Sequence, residues 1–320
     1  INDLAAVRME LPEVFEITHQ LILRYIQNGT IQGLRLDHVD GLLDPKAYLR
    51  RLQEAAAYRL LGQRRDVDST HTAAINQPLY VVAEKILARH ETLRPDWQVS
   101  GTTGYDHMAR VAEVFFAPDG EDGITATYER FIGKTRDFEA EVLAAKYRTM
   151  RETLASELNV LANRLSRLAK RSRKTRDFSR LALRSALADI VARFPVYRSY
   201  VDTDGPGEAD RRDIEWAVAS ARKATETVDT SAYDFIQQVL TTDILHTFPG
   251  EFRRREVVEL AMKVQQFTAP VMAKSFEDTA FYRDARFIAR NEVGAEPESL
   301  YTTPQGFHYG CVQRLDTHPF

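Results

Sequence analysis

Gly33-Leu34-Arg35-Leu36-Asp37 and Val81-Val82-Ala83-Glu84-Lys85 are two short runs, each delivering an acid at or beside its end. Residues of this kind, apolar up to a terminal carboxylate, fit strands buried in a parallel sheet that present polar groups at their carboxyl ends. The spacing predicts strands over Ile31–Leu36 and Leu79–Ala83. A helix lies between them. Asp44-Pro45 is its start, an N-cap acid followed by proline at the first helical position, and Leu49, Leu52 and Ala56 are its inward face. A strand, a crossover helix and a second strand imply parallel pairing. Gly62 to Gln77 reads as a polar loop on the way to the second strand. Upstream, Pro12 to Gln27 is a helix with an apolar stripe at Val14, Ile17, Leu21 and Tyr25, stopped by Asn28-Gly29.

From about Phe131 to Lys274 the pattern turns almost wholly helical. Leu154, Leu158, Leu161, Leu165 and Leu168 repeat at spacings of four and three, a narrow helix-packing seam. Leu183, Leu187, Ile190 and Phe194 form a second stripe ended by Pro195, and Asp204-Gly205-Pro206-Gly207 is a turn. The expected architecture is α/β: a partial TIM (β/α)8 barrel with a large inserted, mostly helical subdomain. The barrel would hold residues 1–125 and 271–320, and the insertion residues 126–270.

Bulk composition narrows the function classes. Lys plus Arg is 43 and Asp plus Glu is 46 in 320 residues, so no bulk charge attracts nucleic acid or an anionic membrane. No apolar run approaches the roughly 20 residues a bilayer span needs. The single cysteine, Cys311, suits a reducing cytoplasm. Arg164, Arg167, Lys170, Arg171, Arg173, Lys174, Arg176 and Arg180 make a basic run that would suit a nucleic acid. The adjoining leucine seam favours a solvated helix face instead.

The two acids suggest chemistry. Side chains alternate along a strand, so Arg35 and Asp37 point the same way, and a guanidinium keeps a neighbouring carboxylate ionised, as a nucleophile requires. Glu84 follows an apolar run, where partial desolvation favours the protonated, general-acid form. One charged and one neutral carboxyl about 5 Å apart is the division of labour of a retaining glycosidase. The alternative is a pair of surface acids at strand ends. Asp37-His38-Val39-Asp40 could also be read as a metal cluster, but Asp44 is better explained as a helix cap. His38 would bond a sugar hydroxyl or pack at the strand end. Lys85 points away from the Glu84 face, toward an ion pair or a substrate contact. Trp97 and Tyr105 flank a Gly/Thr-rich loop, where each would stack on a sugar ring or join the core.

These stretches resemble the α-amylase superfamily, glycoside hydrolase family 13, in whose motifs a Gly-x-Arg-x-Asp strand carries the nucleophile and a later strand the acid/base Glu. The likeness is closer to the trehalose-forming branch. It is carried by Ile1-Asn2-Asp3-Leu4-Ala5-Ala6 with Arg8-Met9-Glu10, by Gly33 to Leu42, by Glu84-Lys85-Ile86-Leu87 and by Gly101-Thr102-Thr103-Gly104-Tyr105-Asp106. Phe194 to Tyr200, Met272-Ala273-Lys274, Glu277 to Arg283 and Asn291-Glu292-Val293-Gly294 continue it. The resemblance implies an intramolecular transglucosylase that turns the reducing-end α-1,4 link of a maltooligosaccharide into an α,α-1,1 link. Asp37 would be the nucleophile and Glu84 the acid/base, and the resemblance implies no metal or organic cofactor. Arg35, His38, Asp40, Lys85, Trp97, Tyr105, Lys274 and Asp278 would lie at the substrate, the last two on the resemblance alone. The helical insertion would help keep water from the intermediate. A hydrolase or a 4-α-glucanotransferase of the same superfamily is the nearest alternative.

Two departures stand out. Asp40 and Gly41 occupy the places where typical amylases have Lys-His, which favours the trehalose-forming branch. The family's third carboxylate, an Asp after a His, has no counterpart: Thr317-His318 is followed by Pro319. The chain is therefore expected to be an internal piece of a longer protein, poorly active alone and prone to aggregate through unpaired strand edges.

Overall fold

A computed structural model describes residues 7–61, 77–225 and 229–317. The stretch Ile1 to Ala6, the polar loop up to residue 76 and His318 onward lie outside the described residues. The chain divides into two compact units, Ile1–Met108 with Thr303–Phe320, and Ala109–Thr302.

The first unit contains the parallel sheet. Helix α1 spans Pro12–Gln27, as the sequence predicts, and ends at Asn28, with Gly29 at φ +69° where a side chain would be strained. Its inward face differs from expectation. Phe15, His19, Leu23 and Ile26 are buried, whereas Ile17 and Leu21 are exposed. A histidine interrupts the apolar repeat, which hid the true stripe. The His19 ring stacks on Phe15 at 4.0 Å and meets Tyr48 Oη at 2.9 Å, so its polar atoms are satisfied inside. Burial holds the imidazole below its ordinary pKa and pushes the Tyr48 phenol up to about 12.

Strand β1 is Gly33–Leu36, helix α2 is Pro45–Leu61 and strand β2 is Tyr80–Ala83. Asp44 caps α2, its Oδ1 accepting from Ala47 N at 2.9 Å, and Leu49, Leu52 and Ala56 are fully buried. Gln53, on the same face, is buried too. Its amide donates to Leu79 O at 2.9 Å while its carbonyl accepts from Leu79 N at 3.1 Å, so α2 is latched to the entrance of β2. The strands pair in parallel, Gly33 with Tyr80 through Leu36 with Ala83. Tyr80 O would sit 2.9 Å from any Cβ at position 33, which is why the first residue of β1 is glycine.

A third strand, β3 (Gly101–Thr102), lies within the stretch whose composition predicts a Gly/Thr-rich loop. It pairs in parallel with Val82 and Ala83, giving the order β1-β2-β3. Two residues carry no periodic signal. Ser100 N donating to Val81 O at 2.7 Å and Thr103 N to Ala83 O at 3.0 Å hold it in place. Helix α3 (Tyr105–Val114) begins directly after it. Within this unit the final helix, Pro304–Thr317, ion-pairs with the first turn of α3 through Arg314 and Asp106.

The second unit is helical, through α4 (Glu121–Ile132), α5 (Phe138–Arg151), α6 (Ala155–Ala169), α7 (Arg180–Ala192), α8 (Glu208–Ala224), α9 (Ser231–Leu240) and α10 (Arg254–Met272). The leucine seam is its core: Leu158, Leu161, Leu165 and Leu168 of α6 are buried, as are Leu183, Leu187 and Ile190 of α7. Leu154 is the N-cap of α6 and only half-buried. The segment after α10, Ala273–Ala280, winds as a π-helix. Two buried arginines secure the chain beyond it: Arg136 binds Asp284 through two bonds of 2.9 and 2.7 Å, and Arg290 meets Glu113 at 2.9 Å. Of the basic run, Arg164 pairs with Glu259 at 3.0 Å and Arg171 with Glu256 at 2.6 Å. Two members of the run thus lie against acids of α10, and Arg167, Lys170, Arg173, Lys174, Arg176 and Arg180 are exposed on the helical unit's surface.

The expected segment boundaries at 125/126 and 270/271 fall inside α4 and α10. Among the described residues the sheet has three strands, and no helix is long and apolar enough to cross a membrane.

Candidate active site

The parallel register decides what meets at the top of the sheet. Leu36 is level with Ala83, and Glu84 N donates to Leu36 O at 2.7 Å, so the ladder continues one step beyond the strands. That step sets Asp37 beside Glu84. Arg35, two residues before Asp37 and on the same face, reaches both: Nη1 donates to Asp37 Oδ1 at 3.1 Å and Nη2 to Glu84 Oε1 at 3.3 Å. Desolvation pulls the guanidinium down, but Glu84 and then Asp37 outweigh it and hold Arg35 above its ordinary value.

The two carboxylates differ in surroundings. The Asp37 side chain is 74% exposed, open to an incoming molecule, whereas that of Glu84 is 19% exposed. Glu84 is ringed by donors: besides Arg35, Tyr105 Oη donates to Oε1 at 3.1 Å and His38 N to Oε2 at 2.8 Å. The apolar run before Glu84 thus ends in a polar socket. Gly104, at φ +83°, turns the chain from β3 into α3 and places Tyr105 at the first helical position, facing Glu84. Desolvation, then the Glu84 carboxylate, hold the Tyr105 phenol above its ordinary pKa, so it stays a donor.

His38 sits in the left-handed region at φ +48° and is exposed beside Asp37. Its ring lies over Gly41, where a Cβ would fall 2.5 Å from Cδ2 and 2.8 Å from Nε2. Glycine at 41 is therefore what leaves room for the imidazole in this position. Gly41→Ala should push the ring aside and lower kcat/KM by roughly 10–100-fold with little change in melting temperature. Steady-state kinetics beside a thermal melt checks this. Unaltered kinetics would mean that the ring position is irrelevant to turnover.

Three residues expected at a substrate lie inside the unit instead. Trp97 is 2% exposed and belongs to the core, which leaves the indole no open face for a sugar ring. Lys85, on the face opposite Glu84, is equally buried. Its ammonium meets Glu91 Oε1 at 2.9 Å and Asp40 Oδ2 at 3.5 Å, and donates to Ile86 O at 2.6 Å. Asp40 accordingly stands as a buried counter-charge to Lys85. Glu91 was missed altogether. One acid in a loop of mixed polarity gives no periodic signal, and only an odd buried lysine could have called for it. Lys274 and Asp278 lie in the second unit, on the π-helix, 3.9 Å apart. Among the described residues, no group of three or more His, Cys, Asp or Glu side chains is arranged to hold a metal ion.

Two carboxylates at adjacent parallel strand ends, spanned by one guanidinium, form the kind of pair that works on glycosidic bonds. No family model matches the chain. Over its whole length it is similar to maltooligosyl trehalose synthases. A protein of Mycobacterium tuberculosis provisionally named a maltooligosyl trehalose synthase is 30% identical over 319 residues, all of this chain and 36% of that one. The solved maltooligosyltrehalose synthase of Arthrobacter ramosus is 31% identical with a TM-score of 0.79, over 100% of this chain and 35% of its own. A hypothetical maltooligosyl trehalose synthase of Sulfolobus tokodaii follows at 25% identity and TM-score 0.67, over 98% of this chain and 34% of its own. The chain thus spans about a third of the length of the relatives it matches.

Proposed function

We propose that this chain carries the nucleophile and the acid/base of an intramolecular transglucosylase acting on maltooligosaccharides, on the fold of glycoside hydrolase family 13. The sheet β1-β2-β3 would then be one arc of a (β/α)8 barrel, with a helical insertion following it. The observation that carries the reading is the register step that sets Asp37 beside Glu84 under a shared Arg35. Similarity to maltooligosyl trehalose synthases over the full chain supports the choice of reaction.

On this reading Asp37 attacks the anomeric carbon of the penultimate glucose, and the bond to the terminal glucose breaks as Glu84 gives its proton to the leaving oxygen. A covalent glycosyl-enzyme results. The freed glucose turns over and attacks that carbon through its own anomeric hydroxyl, whose proton returns to Glu84. Asp37 leaves, and the product is an isomer of the substrate with an α,α-1,1 end. Its open setting suits Asp37 to attack, and the recessed socket holds Glu84 for proton exchange.

The complete gene product incubated with maltopentaose should lose reducing ends without forming shorter sugars. Glucose and maltotetraose appearing with rising reducing ends would make it a hydrolase. Redistribution into longer and shorter chains at constant reducing ends would make it a 4-α-glucanotransferase.

A further inference from the structure

Glu84 must be protonated when the bond breaks and ionised when the new one forms, a demand that rests on the function proposed above. Its neighbours are unequal to that alternation. The Arg35 guanidinium and the His38 backbone N–H can only donate, so they serve the ionised carboxylate and have nothing to offer an acid proton. Asp37, the other charged group on this face, is itself held by Arg35. Lys85 turns to the opposite face and its own acids. Tyr105 alone among these partners carries a hydroxyl, which donates to a carboxylate and can rotate to accept from a carboxylic acid.

We infer that Tyr105 is a positioning residue that follows the Glu84 proton, reversing its hydrogen bond as the carboxyl changes form. The aromatic ring is then a mount for the hydroxyl and not a platform for a sugar ring. The two halves of its task are not equally strong. Donation to a charged oxygen outweighs acceptance from a neutral acid, so deleting the hydroxyl costs the ionised form more. Tyr105→Phe should therefore move the alkaline limb of the pH–rate profile to higher pH. One hydrogen bond of ordinary strength corresponds to about 0.5–1 pH unit. Turnover should fall several-fold, because the ionised carboxylate made in the first step is less well held, while KM stays near that of the parent.

The test compares pH profiles of kcat and kcat/KM on maltopentaose for the complete gene product, Tyr105→Phe, Tyr105→Leu and Glu84→Gln. An upward shift of the alkaline limb shared by the Phe and Leu variants, with KM little changed, supports the inference. A Phe variant that matches the parent, with the Leu variant losing affinity at an unmoved limb, would show a stacking platform and overturn it. Glu84→Gln separates the two levels. If it retains the parent's full bell, Glu84 is not the titrating acid, and both the inference and the assignment beneath it fall. If it is inactive while the Phe profile is unmoved, only the inference falls.

Discussion

Asp37→Asn should remove turnover of both maltooligosaccharides and α-maltosyl fluoride, by on the order of 10⁴-fold or more, because on the proposed mechanism it deletes the atom that forms the covalent bond. Glu84→Gln should behave differently. It should lose about 10²–10⁴-fold on the oligosaccharide, whose departing oxygen needs a proton, yet still release fluoride, which leaves without one. Since the second step needs Glu84 as a base, fluoride should appear as a burst of about one equivalent per active site and then slow. Asn and Gln preserve shape. Asp37 is largely exposed, so its replacement should shift stability by no more than about 0.5 kcal/mol, and a thermal melt separates lost chemistry from lost fold. A burst from Asp37→Asn but none from Glu84→Gln would reverse the two roles. Fluoride turnover undiminished in both would place the chemistry on other residues.

What the sequence disclosed about this site follows from the physics of each residue. Strands β1 and β2, their parallel sense and the acids at their ends were legible because apolar runs, a capped crossover helix and alternation are local rules. Side-chain alternation even separated Lys85 from Glu84. It could not say what waited on the far side, since Glu91 and Asp40 reach the same buried point through loop geometry that leaves no period in the chain. Trp97 and Tyr105 show the same limit from two directions. Both flank a Gly/Thr-rich stretch, yet one is sealed in the core and the other faces Glu84. The outcome was set by a two-residue strand and a single left-handed glycine. His19 misled the reading of α1 because a histidine that is stacked and hydrogen-bonded counts as core, while composition counts it as polar.

The buried cluster below the sheet end yields the largest expected effect on stability. Lys85, Asp40 and Glu91 have side chains 2%, 4% and 8% exposed, with two carboxylates on one ammonium. Desolvation opposes the charges of Lys85 and Glu91. The Asp40 and Glu91 carboxylates nonetheless raise Lys85 above its ordinary value, while burial, with Asp40 beside it, holds Glu91 above its own despite Lys85. Lys85→Met keeps the bulk and removes the counter-charge, leaving Asp40 and Glu91 buried without it. Breaking a buried pair in this way costs about 3–5 kcal/mol, a fall in melting temperature on the order of 10 °C. Adding Asp40→Asn and Glu91→Gln to the same chain should recover part of the loss, because the partners are coupled. The pH dependence has a definite sign. Glu91 binds its proton more tightly folded than unfolded, so its favourable contribution is complete below the ordinary 4.5 and fades as pH rises through the folded value. Lys85, also raised, contributes fully below 10.5 and loses that contribution above it. Glu91→Gln should therefore flatten the stability profile above pH 4.5 while leaving the alkaline loss in place. Melting curves across pH for the parent, Lys85→Met and Glu91→Gln decide the matter. A Lys85→Met protein melting within about 2 °C of the parent would show that these acids do not depend on the ammonium. Because Lys85 adjoins Glu84 and Asp40 lies three residues past Asp37, the same substitution should also slow turnover. On the proposed function, loosening the cluster loosens the spacing on which the carboxylate pair depends.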